Sequence, residues 1–157
     1  MSGLIFALGT TAGIALTATT SKCILQAIAP ANTIVNLKEW SVWFDAVLSS
    51  EAPATVQITR MTTSTGLSMT TATAFGQVIR HGSTALAMQT IGMVCGTASS
   101  DPTSSGILAR RQVHKQVGYH EKFPLDEEIR FNNALSIGIT VSSATTVTCY
   151  AEMVLEE

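Results

Sequence analysis

The sequence is poor in charged residues, and this shortage limits the partners it can have. Charged residues make up 13% of the 157 residues, about half of the roughly 25% found in an average soluble protein. Lys and Arg total only 9, and the net charge is −2. Because phosphate binding needs clustered Lys and Arg, nucleic acid is not expected as a partner. A soluble monomer normally keeps a well-charged exterior, so the composition predicts assembly with other protein chains.

The cysteines and histidines lack the spacing of a disulfide framework or a metal site. Cys23, Cys95 and Cys149 are odd in number and far apart, which predicts buried reduced thiols. His114 and His120 lie close in sequence, but no acidic residue or cysteine stands at a ligand spacing from them. We therefore predict no metal and no cofactor.

Catalytic motifs are also missing from the chain. It contains no GxSxG, HExxH, P-loop or GxGxxG pattern. Asp126, Glu127 and Glu128 form a carboxylate cluster, which we interpret as a solvated loop because the glycine turn of a single-loop calcium site is absent. No serine is paired by the sequence with a base and an orienting group. We therefore predict no catalytic residue.

An apolar cluster, Leu4, Ile5, Phe6 and Leu8, stands near the start of the chain. It is too short to span a bilayer and no Lys or Arg precedes it, so neither a membrane nor a targeting segment is predicted. Residues 1–20 are expected to form an N-terminal arm or a first strand, before a single β-sandwich domain over residues 21–157. In the arm alternative, which we favour, the four side chains form an interface with a neighbouring subunit. In the strand alternative they belong to the core.

Alternating apolar and polar residues are abundant, together with 22 threonines and 15 serines. Residues 33–45 place Ile34, Trp40, Val42 and Phe44 on one side, which is typical of a half-buried strand. Trp43 has the polar parity, so we expect it to cover an edge or an interface.

The end of the chain has the same pattern. Residues 146–155 alternate so that Val147, Cys149 and Met153 share one face, and we expect that face to be buried. Residues 118–128 are predicted to be a loop, and residues 85–93 fit either a helix turn or a strand. No segment keeps a helical period over three turns. About eight short strands predict an all-β, antiparallel β-sandwich of jelly-roll type.

The order of several short motifs resembles a family of small virion proteins of tailed phages. Residues 28–32 (IAPAN) lead into residues 35–45 (VNLKEWSVWFD), and residues 123–128 (FPLDEE) follow later. A strand over 134–141 and a closing strand that ends in two glutamates complete the resemblance. The family pattern has glycine where Ala46 stands, and Gly-Arg where Asp126 and Glu127 stand.

The resemblance implies a jelly-roll capsid decoration, or cement, protein that performs no catalysis. Such a protein is made in the host cytoplasm and lies on the outer surface of the capsid of the virion. Its implied partners are the phage major capsid protein and itself, commonly as a homotrimer. The alternative is a carbohydrate- or receptor-binding β-sandwich module of a phage tail or fibre. That alternative needs exposed aromatic residues, and aromatics make up only 6% of the chain.

Overall fold

The computed structural model describes residues 4–45, 52–62, 70–71, 77–81, 90–94, 104–133 and 135–157. Within these ranges the chain forms thirteen strands and no helix. The strands lie in two antiparallel sheets that pack face to face. Consequently, no helix in the described ranges is long and apolar enough to cross a membrane.

The two sheets contain seven and six strands. The seven-stranded sheet consists of β1 (Ile5–Gly9), β2 (Ile14–Leu16), β4 (Val35–Asp45), β7 (Gln77–His81), β10 (Tyr119–Lys122), β11 (Ile129–Phe131) and β13 (Val147–Glu156). The six-stranded sheet consists of β3 (Ser21–Ile28), β5 (Ala54–Met61), β6 (Thr70–Thr71), β8 (Ile91–Val94), β9 (Ser104–Val113) and β12 (Ser136–Ser142).

The pairing of the strands is nested. β1 and β2 pair with β13, β3 pairs with β12, β4 pairs with β10 and β11, and β5 pairs with β9. Successive pairs alternate between the two sheets. β7 and β8 extend the two sheets beyond β1 and β3. This wiring is that of a jelly roll, so the predicted all-β antiparallel sandwich is confirmed.

The core lies between the two sheets. Its residues confirm that the alternating segments that became β4 and β13 each bury one face. Trp40 and Val42 of β4 are buried, as are Cys149 and Met153 of β13. Phe44 is partly buried and packs against the same cluster. Burial of each large side chain contributes about 1.5–3 kcal/mol to folding, so these two paired strands form the centre of the sandwich.

The N-terminal cluster belongs to this core. β1 lies between β13 and β7, and Leu4, Phe6 and Leu8 are buried against the chain's own core. The first-strand alternative therefore describes them, and the expected interface is corrected for these three residues. A side chain that is fully covered within its own chain has no surface left to offer a neighbouring subunit. Ile5 remains partly exposed.

Several predicted boundaries are wrong. β10 lies inside residues 118–128, for which the sequence predicts a loop. Tyr119 of β10 packs against the core, and its ring centroid lies 5.1 Å from that of Trp40. The composition of residues 97–106 (TASSDPTSSG) predicts a loop, yet residues 104–106 belong to β9. The strand expected from residue 33 begins at Val35, and Ile34 before it is exposed.

Candidate interaction surface

A β-bulge in β4 places two charged side chains next to each other on the outer side of the seven-stranded sheet. Glu39 lies opposite Val154 and Leu37 lies opposite Leu155, which leaves Lys38 as an extra residue. The alternation of buried and exposed residues shifts by one position at the bulge. Leu37 before it and Trp40 after it are both buried, although they are three residues apart. Bulges often re-aim a side chain beside a functional site.

Lys38 is held between two carboxylates. Its Nζ lies 2.7 Å from Oε1 of Glu128 and 2.6 Å from Oε2 of Glu156. The hydrogen bond to Glu128, followed by that to Glu156, raises the pKa of Lys38 above its ordinary value. The ammonium group therefore stays charged at neutral pH, and its ion pair ties Glu128 to the sheet.

A cleft of about 660 Å³ lies beside this ion-pair cluster. Its apolar lining comes from Ile5, Val154, Phe123 and Leu125, and its charged lining includes Lys38 and Lys122. Leu125 stands out because it is 82% exposed. One wall of the cleft is thus a large apolar side chain that projects into solvent.

The turn that carries Leu125 is fixed on both sides. The Phe123 N–H donates to the Lys38 carbonyl at 2.8 Å, and the Glu127 N–H donates to the Pro124 carbonyl at 3.1 Å. Asp126 has φ +74°, the left-handed value required at the third position of a type II turn. These hydrogen bonds and the Glu128–Lys38 ion pair hold the turn in place, and the turn carries the Leu125 side chain on the surface.

A second feature of the same sheet is an aromatic pair. Trp43 of β4 and Tyr150 of β13 are register partners, and their rings stack with centroids 5.8 Å apart and planes 3° apart. Trp43 is 42% exposed. The polar parity of Trp43 predicted its position away from the core, and the structure confirms that placement.

The predicted carboxylate and histidine groups are dispersed. Glu128 binds Lys38, whereas a carboxylate oxygen of Asp126 lies 3.8 Å from the Arg130 guanidinium. Nε2 of His120 lies 3.8 Å from Oε2 of Glu39. In the parts of the chain that the structure describes, no three His, Cys, Asp or Glu side chains are grouped to hold a metal ion.

Of the residues on this surface, the sequence pattern indicates Ile5 and Trp43 but not Lys38, Leu125 and Tyr150. The signal for Lys38 was present, because two successive charged residues between Leu37 and Trp40 break the period of two. The groups of this surface, an apolar cleft, a fixed ammonium and an aromatic stack, are suited to noncovalent contact. No family model, no curated protein and no solved structure matches this chain.

Proposed function

We propose that this chain is a non-enzymatic virion structural protein that decorates and stabilises a phage capsid by packing on the lattice of the major capsid protein. The observation that carries the proposal is Leu125, 82% exposed on a closed turn beside an apolar cleft. We call Leu125 and the cleft lined by Ile5, Phe123 and Val154 the docking cleft.

A fixed apolar projection is suited to protein–protein contact. Burying a leucine side chain contributes about 1.5–3 kcal/mol before ordering costs. Those costs are small when the segment is already held in place, as the Lys38 and Pro124 carbonyls hold this turn. The charged groups around the cleft, Lys38 and Lys122 among them, provide a polar rim.

The surface composition supports permanent assembly. Within the described ranges, seven large apolar side chains are exposed: Ile34, Trp43, Ile107, Leu108, Val117, Leu125 and Leu135. Only 13% of the chain is charged. Because apolar surface that is not covered promotes aggregation, such a chain is expected to keep part of its exterior against partners.

The turn also supports the resemblance to phage virion proteins. Asp126 stands where the family pattern has glycine, and its φ is +74°. Glycine adopts this conformation without a steric cost, and aspartate tolerates it better than most residues. The departure from the family pattern at residue 126 is therefore compatible with a turn of this kind. The homotrimer and the position on the outer capsid surface are carried by the resemblance alone.

The proposal is tested by adding the purified chain to shells of the major capsid protein from the same source and sedimenting them together. Wild-type chain should sediment with the shells, and Leu125→Asp should reduce the bound fraction at least about tenfold, since it places a charge in an apolar contact. Val117→Asp is the matched control, because Val117 is 83% exposed and lies outside the docking cleft.

Three outcomes separate the possibilities. Loss of shell binding in Leu125→Asp but not in Val117→Asp supports the proposal. Equal binding of both variants shows that another surface makes the contact. A wild-type chain that never binds the shells contradicts capsid decoration itself.

A further inference from the structure

The second face of the Trp43 indole is open towards the edge of its sheet. β4 lies between β13 and β10 in the strand order. Tyr150 on β13 stacks in parallel on one face of the indole. The other face is therefore turned towards the β10 side, and the stack fixes the orientation of the ring.

The residue beside Trp43 on that side is Gly118, next to the Tyr119–Val42 register pair. Gly118 has φ +71°, and a Cβ there would lie 2.8 Å from the Val42 carbonyl oxygen and 3.2 Å from Cβ of Trp43. Side chains other than hydrogen are strained in this conformation and have no space. The position cannot carry a side chain that covers the indole.

A hollow of about 410 Å³ lies at this place, within the roughly 300–1,000 Å³ that is typical of small-ligand sites. We call it the Trp43 hollow. Besides Trp43, the residues that line it include Val117, Ser41 and His120. An adjoining hollow shares Ser41 and His120 and is also lined by two acidic residues, Glu39 and Glu152.

We propose that the Trp43 hollow binds the pyranose ring of a neutral saccharide. One face of such a ring presents C–H groups that pack on an aromatic face, while its edge presents hydroxyls for Ser41 and His120. The carboxylates of Glu39 and Glu152 nearby disfavour an anionic sugar by charge repulsion and accept hydrogen bonds from neutral hydroxyls.

The hollow is less suited to a protein partner. A stable protein interface buries roughly 1,200–2,000 Å² and is depleted of charged residues at its centre. Here His120 lines the same hollow as the exposed indole, and Glu39 and Glu152 line the adjoining one. The inference does not depend on capsid decoration, because the docking cleft and the Trp43 hollow have no lining residue in common. They only lie along the same two strands, β4 and β10.

Saturation-transfer NMR with methyl glycosides of glucose, galactose, mannose and N-acetylglucosamine tests the proposal. At least one glycoside should receive saturation and bind with a Kd of about 1 mM. Trp43→Ala should weaken that binding at least about tenfold, and Trp43→Phe should weaken it less, because a smaller aromatic face remains. Leu125→Ala is the matched control and should bind as the wild type does.

The proposal is overturned if none of the glycosides binds at concentrations up to about 50 mM. It is also overturned if binding is unchanged in both Trp43→Ala and Trp43→Phe, or if choline, which tests for a cation on the indole face, binds in place of the sugars. Loss of glycoside binding in Trp43→Ala together with normal sedimentation on shells separates this site from the docking cleft.

Discussion

Trp40 and Trp43 lie three residues apart on β4 and face opposite sides of the seven-stranded sheet. Trp40 is 1% exposed and packs in the core, whereas Trp43 is 42% exposed and stacks on Tyr150. Side chains alternate along a strand, so an odd spacing places the two indoles on different faces. The same residue type thus serves the stability of the fold at one position and the surface at the other.

Trp40→Ala should destabilise the protein by about 3–5 kcal/mol, because it leaves a large cavity between the sheets. Trp43→Ala should cost less than about 1 kcal/mol, since half of the side chain is already in water. Urea unfolding of the two variants measures both values. Similar losses in both would show that the two indoles are not on opposite faces of a packed sheet.

Deletion of residues 2–9 should prevent folding. The deletion removes β1, whose neighbours are β13 and β7, together with the buried Leu4, Phe6 and Leu8. It would leave an unpaired edge on β13 and a cavity in the core that the three side chains fill. Circular dichroism and thermal melting of the truncated chain check this. A truncated chain with an unchanged melting temperature would instead support the arm alternative.

The Lys38 cluster should stabilise the fold at neutral pH and lose its effect in strong alkali. The carboxylates of Glu128 and Glu156 raise the pKa of Lys38 above 10.5 in the folded protein. A raised pKa gives a stabilisation that is fully present below the unfolded pKa and disappears as the pH rises through the folded pKa.

The difference in unfolding free energy between wild type and Lys38→Met isolates this effect. It should be constant up to about pH 9 and fall as the pH rises through the raised pKa of Lys38 in the folded protein. The subtraction removes the contribution of other groups that titrate in the same range. A difference that grows with rising pH would have the wrong sign for a lysine that is charged in the folded state.

The thiols of Cys23 and Cys149 should not react in the folded protein. Both are buried, and burial raises the pKa of Cys149 to about 12. At pH 8 only about one Cys149 in ten thousand is a thiolate, which is the reactive form. Titration with a thiol reagent in a Cys95→Ser background should give no signal until denaturant unfolds the chain. Cys95 is removed because it lies outside the described residues. Rapid reaction of a native thiol would contradict the burial of both.

The sequence contains enough to predict the sandwich but not the surface. The alternation in β4 and β13 is strong because each strand buries one face, and both strands were predicted. The buried positions Trp40, Val42, Cys149 and Met153 were predicted with them, whereas Ile34 is exposed. β10 was missed because it is four residues long and polar. Its Glu121 looks like a solvent residue, yet its carboxylate lies 2.5 Å from the Arg111 guanidinium of the facing sheet. That contact depends on the packing of the two sheets, which a local pattern does not encode.

The docking cleft was missed for a similar reason. Leu125 looks like an ordinary loop residue, and its projection depends on a turn held to Lys38, a residue 87 positions earlier in the chain. Ile5 was selected as part of an apolar run whose other members, Leu4, Phe6 and Leu8, are core. Charge and hydropathy distinguish buried from exposed residues on average, whereas a single projecting side chain depends on the local backbone.

A cryo-electron microscopy map of shells mixed with this chain tests the central claim most directly. Capsid decoration predicts density for a β-sandwich on the outer surface of the lattice, with the turn over residues 123–128 against the major capsid protein. Density with that turn facing solvent would show that the docking cleft does not make the contact. Shells without additional density, at chain concentrations well above the number of lattice positions, would contradict the assignment as a capsid decoration protein.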